Sequence, residues 1–159
     1  MQFFKKDSGK KTFQYAEALD VALCYGWIDS QMKSYDKESY IQKFTPRGAK
    51  SIWSKRNKTH VARLLKEKRM TPAGLAQIDA AKKDGRWKGA YDSPKKMQVP
   101  PDFLQLLSKN KKAFSFFKTL NKANVYAITW RLQTAKKPET REKRMHTILE
   151  MLKKSQKFH

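Results

Sequence analysis

Tryptophan, arginine and small polar residues recur together at three places, and these combinations are the ones that could do chemistry. The densest is Ser51-Ile52-Trp53-Ser54-Lys55-Arg56-Asn57-Lys58, with Pro46-Arg47 just before it. A chain turning there into a helix presents backbone N–H groups and the positive end of the helix dipole to an anion. Arg47, Ser51 and Ser54 would then hold a phosphate or carboxylate, with Trp53 as a stacking wall. The same residues have structural uses: Ser51 and Asn57 as helix caps, Trp53 as core filler.

The second place is Trp27 with Asp29. A carboxylate beside an indole is desolvated, which raises its pKa and suits acid–base work. It serves equally as a cap at the start of a hairpin or as a partner for Arg47, and no second acid stands close in sequence to complete a catalytic pair. The third place, Arg86-Trp87, follows a helix end. Its guanidinium can stack on a ring to plug the open end of a small core, or the pair can face a partner. Arg141 and Arg144 add two guanidiniums one turn apart on a helix, a spacing that suits a carboxylate or phosphate clamp or ion pairs to the first half of the chain.

His60, His146 and His159 share no metal-ligand spacing with one another or with Cys24. No Gly-rich phosphate loop, H-E-x-x-H helix, G-x-S-x-G elbow or calcium loop occurs. The expectation is therefore a protein without cofactor, metal or catalytic residue. Cys24, the single cysteine, lies in the apolar string Ala22-Leu23-Cys24-Tyr25 and reads as a buried, inert thiol.

The elements that must position these groups are mostly helical. Thr12 is the expected cap of a helix carrying Ala16, Leu19, Ala22 and Leu23 at helical spacing, with Gly26 as its left-handed stop. Gln31 to Thr45 loses that spacing and reads as a β-hairpin turning at Asp36-Lys37-Glu38, with Pro46 as its end. A short helix over Ser51–Asn57 follows, then one over Thr59–Lys68 with Val61, Leu64 and Leu65 on a stripe. Thr71-Pro72 starts another, which buries Leu75 and Ile78 and stops at Gly85. Four more helical stretches come after Pro101. Their marks are Phe103, Leu104 and Leu107; Ala113, Phe114, Phe117 and Leu120; Val125, Ile128, Thr129 and Leu132; and, after Pro138, Met145, Ile148, Leu149 and Leu152. The fold class is α+β, predominantly helical, with a small hairpin packed on helices. The expected organisation is a motif-bearing part over 1–92, a linker over 93–101 containing Pro94, Pro100 and Pro101, and a helical part over 102–159.

The length of 159 residues suits one compact domain, or one domain with a helical appendage. Apolar residues at 39% supply an ordinary core, which argues against disorder along the chain despite a mean hydropathy of -0.84. The charge is the unusual total: 36 Lys+Arg against 14 Asp+Glu, a net +22. Such a surface attracts nucleic acid and anionic headgroups and repels cations, or it simply reflects lysine-rich solvated helix faces. The first residues, Met1-Gln2-Phe3-Phe4-Lys5-Lys6, hold too few apolar positions for a signal peptide, and no apolar run approaches a membrane span. The expected location is cytoplasmic.

Six strings follow one another in order: Gly26-Trp27-Ile28-Asp29, Phe44-Thr45-Pro46-Arg47, Ser51 to Lys58, Arg69-Met70-Thr71-Pro72-Ala73-Gly74, Asp84-Gly85-Arg86-Trp87 and Lys137-Pro138-Glu139-Thr140-Arg141. In these the chain resembles the YdeI/OmpD-associated family, also described as bacteriocin-protection proteins, from about Ser8 to the last helix. The resemblance implies a small α+β protein, association with an outer-membrane porin, and protection against bacteriocins or cationic antimicrobial peptides. It implies no reaction, cofactor or catalytic residue. Family members carry a longer N-terminal stretch, an acidic residue where Tyr15 stands, and often Gly where Lys68 stands. A left-handed lysine there costs roughly 1 kcal/mol.

Three functions compete. The first is a non-enzymatic protein that binds an anionic ligand, an envelope component or a protein partner, and protects indirectly, because a +22 protein repels cationic peptides. The second is a sequence-nonspecific nucleic-acid binder, with Trp53 and Trp87 stacking bases among basic residues. The third is a small-molecule enzyme or sensor built on the region from Trp27 and Asp29 to Asn57.

Overall fold

The structure, a computed structural model, describes residues 1–93 and 97–158; the expected linker residue Pro94 and His159 lie outside them. Among the described residues, seven α-helices and a three-stranded antiparallel sheet form an α+β fold that is mostly helical. The chain divides into two compact units, Met1–Ala90 and Tyr91 onward.

In the first unit, strand β1 (Gln2–Phe4) is followed by helix α1 (Tyr15–Cys24), strands β2 (Trp27–Ser34) and β3 (Ser39–Pro46), and helices α2 (Lys55–Lys66) and α3 (Pro72–Lys83). The hairpin of β2 and β3 turns at the expected residues. Its first strand begins at Trp27 rather than Gln31, because a bulge between Asp29 and Met32 breaks the alternation that a strand shows in sequence. The third strand, β1, has no counterpart in the sequence reading. It pairs with β3, Phe3 opposite Tyr40, and leaves β2 as the other edge of the order β1-β3-β2. Phe3 is buried and anchors this short strand, its ring stacked on Tyr40 and edge-on to Phe13.

Helix α1 starts two residues later than Thr12 suggests, with Gln14 at the cap position. The Gln14 backbone N–H donates to the Glu17 carboxylate at 2.7 Å, so the cap comes from a side chain reaching back rather than from a hydroxyl. The expected pair of helices over 51–68 is one helix, α2, whose cap is Ser54; its hydroxyl accepts from the Asn57 N–H at 3.0 Å. Asn57 is thus inside the helix and caps nothing, and Ser51 lies before it. Leu64 is buried on α2, but Leu65 and, on α3, Leu75 are exposed, because the stripe facing the core is narrower than the apolar spacing suggests.

The junction of α1 and α3 accounts for the string Arg69 to Gly74. Thr71 Oγ1 and its backbone N–H both donate to the Cys24 carbonyl, at 2.7 and 3.1 Å, satisfying an orphan acceptor at the end of α1. Gly74 lies so close that a Cβ would stand 2.2 Å from that same oxygen. Gly26 has φ +75° and its N–H bonds the Leu23 carbonyl, which turns the chain from α1 into β2. The core of the unit gathers Leu19, Leu23, Cys24, Trp53, Val61, Leu64 and Ile78. Burial pushes the Cys24 thiol pKa up, as befits an inert core sulfur.

The second unit holds α4 (Pro101–Ser108), α5 (Lys111–Lys118), α6 (Lys122–Gln133) and α7 (Pro138–Lys153), the four expected stretches. Pro101 and Pro138 open α4 and α7, while the Asn110 and Asn121 side chains accept from the N–H groups of Ala113 and Asn124 at the starts of α5 and α6. Leu120 falls beyond α5, yet still packs on the core of Phe103, Leu107, Ile128, Leu132, Ile148 and Leu152. No helix among the described residues is long and apolar enough to cross a membrane.

Candidate functional site

Five of the residues singled out in the sequence come together at one end of the first unit's core. Trp53 is 1% exposed, and its ring meets Trp87 edge-on at 4.8 Å. The Arg47 guanidinium lies over the Trp53 ring at 3.6 Å and donates to the Ile52 carbonyl at 3.2 Å. From the other side Arg86 donates to the Ser51 carbonyl at 3.0 Å and, through Nε, to Asp84 at 2.6 Å. The Ser51 hydroxyl accepts from the Gly48 N–H and closes a tight turn. Lys58 completes the group, its ammonium 5.1 Å from the Trp87 ring and bonded to the Trp87 carbonyl. Arg47 and Arg86 are each 5% exposed. The cluster is a lattice of guanidiniums and indoles in which carbonyls and ring faces take the place of an external anion.

Asp29 and Trp27 belong elsewhere. Asp29 accepts a hydrogen bond from the Tyr15 hydroxyl at 2.6 Å, a bond that ties the middle of β2 to the start of α1. Burial, and then the Asp29 carboxylate, push the Tyr15 phenol pKa well above its ordinary value, so it stays a donor at any physiological pH. Trp27 is 42% exposed and lines an apolar groove of about 500 Å³ with Val21, Tyr25 and Phe44.

Two groups of charged residues were not assembled by the sequence reading, which named only Arg144 among them as a ligand candidate. In the first unit, the Asp20 carboxylate is nearly buried and bonds His60 Nδ1 at 2.7 Å and the Arg63 guanidinium. Burial pushes the Asp20 pKa up, but the bonds from His60 and Arg63 outweigh it and hold the carboxyl below its ordinary range. These residues are distant in sequence, so no spacing announces them.

The second unit carries a groove of about 400 Å³ between α6 and α7, lined by the cationic Arg131, Lys143 and Arg144 and by the apolar Trp130, Ile148 and Phe158. None of its lining residues is acidic. The expected pairing of Arg141 with Arg144 is divided here. Arg141 turns away to hold Asp102 in its own unit, rather than an acid of the first half, and keeps that carboxyl below its ordinary pKa. Arg144 donates to the Arg131 carbonyl at 2.7 Å. The sequence signal for the groove is the run of Thr140, Lys143, Arg144 and Thr147 at helical spacing along α7. Among the described residues no cluster of His, Cys, Asp and Glu is arranged to hold a metal ion.

Residues 1–77 match a family described as a domain of unknown function, DUF8412. Residues 96–155 match the family described as bacteriocin-protection, YdeI or OmpD-associated. No curated protein and no solved structure matches the chain. Four of the six ordered strings thus fall in the first stretch and Lys137 to Arg141 in the second. Arg131, Lys143 and Arg144 of the groove lie within the second, and Phe158 just beyond it. Over residues 96–155 the chain is therefore similar to the bacteriocin-protection, YdeI or OmpD-associated family.

Proposed function

We propose that the protein is a non-catalytic binding protein whose ligand is anionic, and that any part it takes in protection against bacteriocins or cationic peptides is indirect. The observation that carries this reading is the groove in the family-matched unit, where three cationic side chains meet and no acid lines the wall. The net charge of +22 points the same way, because it draws anions to the surface and repels a cationic peptide before contact. The ligand is then an anionic component of the cell or its envelope, or an acidic partner. A cytoplasmic place fits a role that does not require meeting the peptide.

Calorimetric titration tests this directly. The expected result is measurable heat with inorganic phosphate, weakened in Lys143→Glu, and none with a cationic amphipathic peptide. Tight binding of the peptide would overturn the reading. Nonspecific nucleic-acid binding, which draws on the same charge, is separated by anisotropy of a labelled random duplex. Diffuse attraction fades steeply between about 50 and 200 mM salt, whereas binding that survives the higher salt would put nucleic acid in place of the small anion.

A further inference from the structure

We infer that the α6–α7 groove takes a small organic anion, a phosphate monoester or carboxylate borne on a flat apolar body. This inference rests on the reading above that the ligand of this groove is anionic, and it adds the part that bears no charge. The lining sets the cationic Arg131, Lys143 and Arg144 among the apolar surfaces of Trp130, Ile148 and Phe158. A free inorganic ion would leave that apolar surface wet, and an apolar molecule would leave the guanidiniums without an acceptor; a ligand with a charged and an apolar part satisfies both kinds of lining.

The guanidiniums are held in advance. Phe158 donates its backbone N–H to the Asn124 side chain at 2.9 Å, which places its ring 3.9 Å from the Arg131 guanidinium carbon. Stacking uses the face of a guanidinium and leaves its in-plane donors for an anion. The bond from Arg131 to the Ala127 carbonyl, at 3.2 Å, and those from Arg144 to the Arg131 carbonyl and the Thr134 hydroxyl all employ Nη1. Each guanidinium has five donors, so the bonds among described residues leave Nε and Nη2 on both arginines to an incoming oxyanion. Lys143, exposed on α7, adds a mobile third charge at the rim.

Size decides between a small molecule and a polymer. About 400 Å³ is at the lower end of small-molecule sites, which run from roughly 300 to 1,000 Å³. A duplex or a bilayer needs a broad basic face instead, and the apolar wall would gain nothing from a phosphate backbone.

The test titrates the full chain, at fixed ionic strength, with phenyl phosphate, inorganic phosphate and benzyl alcohol, followed by calorimetry and amide chemical shifts. Phenyl phosphate is expected to bind about tenfold more tightly than phosphate, the ring adding one stacked contact, and benzyl alcohol not at all. The Lys143→Glu variant should weaken both phosphates about tenfold by reversing one charge of the clamp. Lys111→Glu, the same change at an exposed position on α5, should leave them unaltered. Equal affinity for phenyl phosphate and phosphate would sink the amphiphilic ligand while leaving an anion site standing. Silence from both would sink the two readings together. Equal losses in the two lysine variants would mean diffuse charge and no site. Vesicles of phosphatidylglycerol form a last arm: binding to them that depends on Lys143, with none to phenyl phosphate, overturns the small-molecule proposal in favour of a membrane.

Discussion

Arginine meets an aromatic ring in both halves of this protein, and the two meetings differ in what surrounds them. In the first unit Arg47 covers Trp53 inside the core, with both residues at most 5% exposed and carbonyls serving as acceptors. In the second, Arg131 lies against Phe158 at the edge of a groove, with Lys143 and Arg144 beside it and no acid in the lining. Burial is what separates them. A guanidinium enclosed by its own protein has its electrostatic demand met by fixed groups, so it stabilises a fold. One left at a groove keeps donors for something that arrives from solution. The arrangement that looks richest in sequence is therefore the more structural of the two.

The largest expected effect separates the two regions by stability. Trp53→Ala should cost about 3–5 kcal/mol in chemical denaturation, the range for emptying a large buried aromatic site. Trp53→Phe should cost much less, because the Trp53 indole N–H is buried with no acceptor among the described residues and its loss leaves nothing unsatisfied. Arg47→Ala should cost about 2 kcal/mol through lost stacking and lost packing of its stem. Lys143→Glu, on the exposed side of α7, should stay within about 0.5 kcal/mol of the parent while altering anion binding. A stable Arg47→Ala protein that loses phosphate binding would reverse the comparison and return the functional site to the first unit.

That outcome would also change how the sequence should be read. The helices of the second unit were legible because Phe103 and Leu107, Ala113 and Phe117, Ile128 and Leu132, and Ile148 and Leu152 recur at helical spacing, with Pro138 before the last, signals that act locally. Gly26 was legible for the same reason: a left-handed stop is a property of one residue. Strand β1 was not, since three residues carry no period and the pairing of Phe3 with Tyr40 is a tertiary fact. Within the string Arg69 to Gly74, Thr71-Pro72 was legible as a helix start, but the junction was not, since Thr71 and Gly74 are both set by the distant Cys24 carbonyl. The six strings drew notice because each packs scarce residues together, which close backbone approach and buried stacking demand as much as ligand binding does. Arg131 and Lys143 are ordinary residues on ordinary helices, and only the packing of α6 against α7 makes them neighbours.

A second test uses acid. Asp20 couples α1 to α2 through His60 and Arg63, and its carboxyl titrates below the ordinary value in the folded state. A depressed folded pKa contributes stability above the unfolded pKa, about 3.9 for aspartate. That contribution drains away as pH falls through the folded value. Asp20→Asn should therefore lose about 1–2 kcal/mol at pH 7, the worth of a charged hydrogen bond with the share from half-exposed Arg63 discounted. The gap to the parent should close on acidification below pH 4. Melting temperatures at several pH values check this, and a gap that stays constant down to pH 2 would show that the network contributes packing alone. The corresponding pair in the second unit, Asp102 with Arg141, has a carboxylate half open to water. Its removal should matter less at every pH, as expected of a screened ion pair.

The smallest effect compares one helix end in each unit. Helix α2 closes with Lys68 at φ +54°, and α7 with Ser155 at φ +56°. Both ends have the same bonds: Lys68 N–H to the Leu65 carbonyl and Arg69 N–H to Leu64, Ser155 N–H to Leu152 and Gln156 N–H to Met151. This is the Schellman pattern, in which the left-handed position is best filled by glycine because a Cβ crowds the backbone there. Helices α1 and α3 use Gly26 and Gly85 at the same position, at φ +75° and +80°. Lys68→Gly and Ser155→Gly should each raise stability by up to about 1 kcal/mol, less what glycine's extra freedom returns to the unfolded chain. Denaturation midpoints of the two variants measure the difference. A gain at Ser155 with a loss at Lys68 would show that the lysine side chain itself contributes to the first unit beyond its backbone strain. The region where cationic side chains serve the fold would then extend from the Trp53 cluster to the end of α2.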